Sequence, residues 1–335
     1  MALTTCNGAK YLREQLASHV AQTLLPCEIV VSDDCSTDAS VSIVEAFARQ
    51  SPVPVRLIRN PTRLGYSENF LATIARCRGD FIALSDQDDV WTPDKLAICL
   101  EAMRASEAAL TMHSAAVVDG DLNVIGELRQ FGAGRKAVLP PLAIDPLPLM
   151  AYGLTLVFRR RLLQLVDCAA RPHSASFPEQ LMSHDEWIFL LASIFGTIAI
   201  VPDRLVLYRQ HGANVYGEAS APGSGVQRWR QISLAGYERR LAFLSEVASV
   251  LEQHGPRLEG RDRWLAKQGA RRYMRLASHM QRRLAMHRAR GAQRRMARFA
   301  GMVLHGAYLP RALGLKSMLK DFLAIVRNPV GNSEN

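Results

Sequence analysis

Through the first hundred residues, short apolar runs at 2–5, 28–32, 53–58 and 80–85 read as strands. The segments between them, near 9–22, 38–50, 67–78 and 93–106, repeat apolar residues every three or four positions, as in Leu12, Leu16 and Val20. Such alternation predicts an α/β fold with a mostly parallel, Rossmann-like sheet flanked by helices. Thr92-Pro93 offers a capping residue followed by a first-turn proline for the fourth helix. From 109 to 215 the pattern becomes α+β on the same sheet, with strands expected at 109–118, 154–158 and 198–207. A Gly- and Pro-containing loop region is expected at 126–148 and a helix at 184–195.

Farther on, three helical faces follow: Leu234, Tyr237, Leu241, Leu244, Val247 and Leu251; then Tyr273, Leu276, Met280 and Leu284; then Leu315, Met318, Leu319, Phe322 and Leu323. A linker at 219–225 separates this C-terminal extension from what precedes it. The expected organisation is an α/β domain at 1–218, the linker, and a basic amphipathic helical region at 226–335. The halves of the first domain are 1–108 and 109–218.

Composition sharpens this division. The 335 residues are 48% apolar and 21% charged, as in an ordinary globular protein, which excludes pervasive disorder and a multi-span membrane protein. The net charge of +10 is unevenly distributed. Residues 1–224 carry 19 basic and 24 acidic side chains, or −5, whereas 225–335 carry 22 and 7, or +15. The longest uncharged apolar stretch, 188–201, has 14 residues, short of the roughly 20 that span a bilayer. No basic-then-apolar leader opens the sequence, and the six cysteines contain no Cys-x-x-Cys pair. A cytoplasmic protein with reduced thiols is expected.

In an open parallel sheet, ligands bind beyond the carboxyl ends of the strands. Three polar clusters follow predicted strands: Thr5-Cys6-Asn7-Gly8, Asp33-Asp34-Cys35-Ser36-Thr37-Asp38 and Asp86-Gln87-Asp88-Asp89. No Gly-x-Gly-x-x-Gly or Walker loop is present to cradle phosphate, so a bound diphosphate needs another counter-charge. The carboxylates of Asp86, Asp88 and Asp89 suit a hard cation, Mg²⁺ or Mn²⁺, that bridges such a diphosphate. The alternative is a solvated acidic turn leading to the Thr92 cap. Asp33 and Asp34 fit either a ribose or base contact or ordinary turn chemistry. Ser183 and Glu186 form a capping-box pattern that places Asp185 in a first helical turn, where the helix dipole favours an ionised base. Asp185 can alternatively serve only that dipole. His184 and His211 are each open to a structural or a site role, and Arg209 adds a cation beside His211.

Together these motifs resemble the family 2 glycosyltransferases, in their rhamnosyltransferase-like bacterial branch. The resemblance is carried by Thr5-Cys6-Asn7-Gly8 with Tyr11-Leu12 and Glu14-Gln15, the Asp33–Asp38 cluster, Asn60 with Gly65 and Asn69, Ser85-Asp86-Gln87-Asp88-Asp89-Val90-Trp91, His184-Asp185-Glu186-Trp187, and Tyr208-Arg209-Gln210-His211-Gly212-Ala213-Asn214. It implies a GT-A fold, a nucleotide-diphospho-sugar donor, a divalent metal and inversion at the anomeric carbon. By the same resemblance Thr5, Asn7, Asp33, Asp34, Asn69 and Asp86 line the donor site, Asp88, Asp89 and His211 hold the metal, and Asp185 is the general base. The branch points to TDP-rhamnose as donor, a saccharide or lipid-linked saccharide as acceptor, and synthesis of a surface polysaccharide such as O-antigen. Cys6 departs from the tyrosine usual in the family, and the first strand is short at its start.

Between Arg257 and Arg298 there are 14 basic and two acidic residues on helices that also have apolar faces. This region fits an anionic membrane surface at the inner face of the plasma membrane, or a solvated extension that packs on the catalytic domain or on a second copy. A nucleic-acid-binding protein is the alternative of a different class, but no zinc-finger, RNA-recognition or helix-turn-helix signature accompanies the charge. Nor does it account for the acidic clusters, so no nucleic-acid partner is expected. A non-catalytic sugar-nucleotide-binding protein is the remaining alternative.

Overall fold

The computed structural model describes residues 1–129, 135–144, 151–212, 234–309 and 313–327. The chain divides into two compact units, Met1–Ala170 with Met182–Ala221, and Arg171–Leu181 with Pro222–Asn335. The linker expected at 219–225 lies outside the described residues.

In the first unit, strands β1 (Ala2–Thr5), β2 (Ile29–Asp33), β3 (Val55–Arg59) and β4 (Phe81–Ser85) alternate with helices α1 (Leu12–Val20), α2 (Ser40–Gln50) and α3 (Tyr66–Arg76). The β1 and β2 residues are all buried, which is why Ala2-Leu3 and Ile29-Val30-Val31 run apolar without alternation before the polar strand ends. A two-residue strand β5 (Val90–Trp91) leads to α4 (Lys95–Ala105) and β6 (Leu110–Val118). Then come β7 (Val124–Leu128), β8 (Ala137–Leu139), β9 (Leu156–Arg159), α5 (Leu162–Leu165), α6 (His184–Phe195) and β10 (Ile198–Arg209). The sheet order is β3-β2-β1-β4-β9-β6-β10-β5, with β7 beside β6 and β8 beside β10. β3, β2, β1 and β4 run parallel to one another, whereas β9 enters antiparallel to both β4 and β6. The sheet is therefore parallel in its first half and mixed in its second, with the core centred on Leu3, Val31, Leu12, Leu16 and Val157.

Three local expectations are corrected. Thr92 does not cap α4: its hydroxyl donates to the Leu205 carbonyl, and the helix begins at Lys95 after Asp94. The 126–148 region is not all loop, since β7 and β8 gain their order by pairing with β6 and β10. A 3-10 turn, Gly153–Thr155, occupies the start of the strand expected at 154–158. Along β10 the register against β6 shifts between Val201 and Arg204, where Pro202 lacks the N–H a continuous ladder needs.

In the second unit, α7 (Leu234–His254) packs on α8 (Gly260–Arg288), followed by α9 (Ala292–Leu304) and α10 (Gly314–Arg327). The α8 face made of Tyr273, Leu276, Met280 and Leu284 is buried as expected. Of the α10 face only Met318 packs inward, against the cluster of Met286, Tyr308 and Ile325. Leu315, Leu319, Phe322 and Leu323 are exposed, while Asp321 and Ile325 turn inward. The reason is polar: Arg283 and His287 of α8 and the Tyr308 hydroxyl all reach the Asp321 carboxylate. Burial alone raises the pKa of that carboxyl, and the bonds from His287, Arg283 and Tyr308 overcome this and hold it below its ordinary value.

Candidate active site

β1 lies between β2 and β4 in parallel register, so the loops that follow these three strands leave the same sheet edge side by side. The first loop is fastened to the third by Gln87. Its Oε1 accepts from the Thr5 hydroxyl and the Cys6 amide, each at 2.8 Å, and its Nε2 donates to the Cys6 carbonyl at 3.2 Å. The same loop is fastened to the second by Asn7, which sits at φ +52°. The Asn7 amide donates to Ser36 Oγ, and its Oδ1 accepts from the Thr37 amide at 2.8 Å. Gly8 is confined here because a Cβ would lie 2.2 Å from Gln87 Oε1.

The second loop carries the aspartate pair in two different settings. Asp34 is saturated: its carboxylate accepts from Asn60 Nδ2 at 3.0 Å, the Leu64 amide at 2.8 Å and the Gly65 amide at 2.9 Å. Asn69 is buried and joins the same lattice through Asn60 and the Ser32 carbonyl. Asp33 accepts from the Ser36 amide at 3.0 Å through Oδ2, but its buried Oδ1 meets no protein donor. Among the six expected donor-site residues, Thr5, Asn7, Asp34 and Asn69 brace the loops, and Asp33 keeps one buried oxygen without a protein partner.

The third loop is the acidic turn. Gln15 of α1 donates to the Asp86 carbonyl at 3.0 Å and to Ser85 Oγ, and His19 Nε2 lies 3.0 Å from that same hydroxyl. The Asp86 carboxyl is pushed up to about 7, first by burial and then by the charges of Asp88 and Asp185. Asp88 is raised by burial against the pull of His211, whose Nε2 is 2.9 Å from Asp88 Oδ2. Asp89 is fully buried behind the turn. Its Oδ1 accepts from the Arg209 amide at 3.1 Å, its Oδ2 has no protein partner, and burial drives its carboxyl well above the ordinary range. Only Asp88 and His211 of the expected metal ligands therefore face each other. Among the described residues no group of three or more His, Cys, Asp or Glu side chains stands ready to hold a metal.

Two buried cations frame the turn. Lys95 of α4 donates to the Leu154 carbonyl at 2.7 Å and lies 3.6 Å over the Trp91 ring. Burial lowers its pKa to about 7 against the opposing influence of Cys99, Asp89 and Asp86. Arg209, at the end of β10, donates through Nε to the Asp88 carbonyl at 2.8 Å and through Nη1 to the Gly120 carbonyl. Its Nη2 pairs with Glu14, and the guanidinium stacks 4.3 Å from the Tyr11 ring centre. Arg209 thus ties the acidic turn to α1 and to the end of β6.

Asp185 enters from the start of α6, and the capping box forms as expected, with the Ser183 amide donating to Glu186 at 3.0 Å. Asp185 Oδ1 accepts from Ser183 Oγ and the Glu186 amide, and Oδ2 accepts from the Gly153 amide at 3.2 Å. His184 turns away from this carboxylate and stacks on Phe70 at 4.2 Å. A Cβ on Gly153 would stand 3.0 Å from His184 Nε2, so the absence of a side chain lets the 3-10 turn approach Asp185. That the Asp185 charge raises the pKa of Asp86 places the helix start and the acidic turn in one electrostatic neighbourhood.

Sequence reasoning did not assign roles to Gln87, Gln15 or Lys95. The two glutamines lie inside motifs already notable in the sequence, but Lys95 carries no local signal, because its partners come from residues 91 and 154.

Residues 2–165 match the family described as Glycosyl transferase family 2. An uncharacterised protein of Mycobacterium tuberculosis is 26% identical over 98% of this chain and 96% of its own length. A dTDP-rhamnosyl transferase of Shigella flexneri is 31% identical over 30% of this chain and 36% of its own length. The crystal structure of S. aureus TarS in complex with UDP-GlcNAc superposes with a TM-score of 0.55 at 16% identity, covering 98% of this chain and 80% of that one, a likeness of fold. Residues 2–165 thus form a glycosyltransferase family 2 domain, within a chain that has the GT-A fold.

Proposed function

We propose that the enzyme transfers a sugar, with inversion, from a nucleotide-diphospho-sugar to an acceptor hydroxyl, with Asp185 as general base. The observation that carries this reading is Asp185 at the start of α6, oriented by the Gly153 amide, with its charge acting together with that of Asp88 on the buried Asp86 carboxyl. Asp185 is held by three hydrogen bonds that fix its orientation as an acceptor. It takes the proton from the acceptor oxygen as that oxygen attacks the anomeric carbon from the face opposite the diphosphate, a role worth roughly 10² to 10⁴ in rate. Asp33 holds the nucleoside through its unpartnered oxygen, and Thr5, Asn7, Asp34 and Asn69 hold the loops that shape that pocket.

Mg²⁺ or Mn²⁺ fits the donor set in part. Asp88 and His211, whose side chains face each other, would hold the ion, and a hard cation of this kind ordinarily needs only one or two carboxylates beside substrate phosphate and water. Such an ion supplies charge neutralisation for the leaving diphosphate. Asp89, behind the turn, holds the Arg209 backbone and so fixes Asp88. TDP-rhamnose is the proposed donor, supported by the Shigella relative, and a surface saccharide, free or lipid-linked, the proposed acceptor.

The test is release of nucleoside diphosphate from TDP-, UDP- and GDP-sugars, with Mn²⁺ or Mg²⁺ and with EDTA. Asp185→Asn is expected to abolish transfer while donor binding persists, and Asp88→Ala to weaken metal-dependent donor binding as well. Near-normal turnover by Asp185→Asn would remove the base assignment. Donor binding without turnover by the wild type, across acceptors, would make the protein a sugar-nucleotide binder.

A further inference from the structure

The second unit leaves a large apolar surface uncovered, and it does not lie on the most arginine-rich helix. The α8 apolar face is filled, with Leu265, Tyr273, Leu276, Met280 and Leu284 all buried. On α10, by contrast, Leu315, Leu319, Phe322 and Val326 recur at three- and four-residue spacing along one side of the helix. Leu315 is 66% exposed and Leu319 59%. On α9, Met296, Val303 and Leu304 form a comparable strip, with Leu304 85% exposed. The helices pack on each other, and Phe299 of α9 lies 5.9 Å from Phe322 of α10. Scattered exposed leucines are ordinary, but a contiguous ridge along two packed helices calls for a partner.

The charges around the ridge define that partner. Lys316 and Lys320 are exposed and fall along one edge of the α10 ridge, and Arg294 and Arg298 are exposed on α9. Neither helix presents an exposed acid, because α9 has none and the single α10 acid, Asp321, is buried among Arg283, His287 and Tyr308. We infer that the ridge of α9 and α10 lies on an anionic lipid surface, with the leucines and Phe322 among the acyl chains and the lysines and arginines at the headgroups. A second copy of this chain would bring like-charged edges together. A nucleic acid would leave the apolar centre without a partner. The ridge rests on the membrane and does not cross it, for among the described residues no helix is long and apolar enough to span a bilayer.

The inference is independent of the donor and base assignments, and its test is chosen accordingly. The full-length protein is floated with vesicles of phosphatidylcholine alone or of phosphatidylcholine with phosphatidylglycerol. Binding is expected only to the anionic vesicles and is expected to fall as salt rises. Lys316→Glu with Lys320→Glu should weaken partitioning by at least about fivefold for each cation removed, since one cation near such a surface contributes on the order of 1 kcal/mol. Leu315→Glu with Leu319→Glu should abolish it. All these positions are exposed, so both variants should keep the wild-type melting temperature and, without vesicles, the wild-type rate of nucleoside diphosphate release. Wild-type protein that stays with the lipid-free fraction would overturn the inference. So would full vesicle binding by the Leu315→Glu, Leu319→Glu variant. Concentration-dependent dimerisation that this variant abolishes, with no vesicle binding, would assign the ridge to a second copy. Any of these outcomes leaves the transferase reading intact.

Discussion

Replacing Arg209 by methionine tests the geometry of the acidic turn most directly. The substitution keeps much of the apolar stem and removes the guanidinium, which is almost fully buried. The Asp88 carbonyl loses its 2.8 Å donor, and the Gly120 carbonyl loses Nη1. Each carbonyl left without a partner costs about 1–3 kcal/mol, toward the lower value where water can enter. The stacking on Tyr11, at 4.3 Å, contributes about 0.5–2 kcal/mol more. The Glu14 pair adds little, because that carboxylate is more than half exposed and hydrates readily. The sum, about 2.5–8 kcal/mol and toward the lower end where water reaches the carbonyls, is a large fraction of an ordinary domain's stability. Urea unfolding should show a lowered midpoint with an unchanged slope. Below that transition, donor binding that depends on divalent metal should weaken, because Asp88 is no longer held toward His211. Arg209→Lys should recover part of the stability, since an ammonium reaches one carbonyl but cannot fork to both. If Arg209→Met unfolds within about 0.5 kcal/mol of wild type and binds donor normally, the role assigned to this residue is wrong.

Other outcomes follow from the same contacts. Gly8→Ala places a Cβ against Gln87 Oε1, so the carboxamide must swing away from Thr5 and Cys6. Two lost hydrogen bonds predict about 1–3 kcal/mol of destabilisation and a raised donor KM, read by urea unfolding and steady-state kinetics. Gly196→Ala sets its Cβ 2.2 Å from Ala109 Cβ, with no flexible side-chain end to yield, and should cost at least about 1–3 kcal/mol; an unchanged melting temperature would refute that clash. Lys95, with its folded pKa lowered to about 7, sheds its proton in the folded state while the unfolded chain keeps one up to the ordinary lysine range. Stability should therefore rise between about pH 7 and 10, by on the order of 1 kcal/mol per pH unit at most, and Lys95→Met should flatten that rise in urea midpoints.

Much of the first unit is a local property of its sequence. The apolar runs that become β1, β2 and β4 are buried on both faces, so their hydrophobicity is continuous and visible. The capping box at Ser183 and Glu186 sets the start of α6 from within four residues, and thereby puts Asp185 in its first turn. The acidic turn and the aspartate pair were legible for the same reason, as polar clusters directly after strands. Which of those carboxylates face a ligand was not. Asp33 and Asp34 are neighbours of the same residue type, yet loop 60–65 saturates one and leaves an oxygen of the other unpartnered. Asp88 and Asp89 part in the same way, one turned to His211 and the other buried under the Arg209 backbone.

The tertiary structure alone decided the long-range fasteners. Arg209 reaches Glu14, Asp88 and Gly120, Gln87 reaches Thr5 and Cys6, and Lys95 reaches Leu154, contacts between residues far apart in the chain that no periodicity encodes. It also reversed the α10 face. A 3.6-residue pattern marks which side of a helix is apolar, but Arg283, His287 and Tyr308 together claim Asp321 and turn that apolar side outward. The sequence determined the elements and the chemistry they carry, because burial and capping act within a few residues. The fold determined which groups meet, because a buried polar group takes its partner from whatever the packing brings within hydrogen-bond reach.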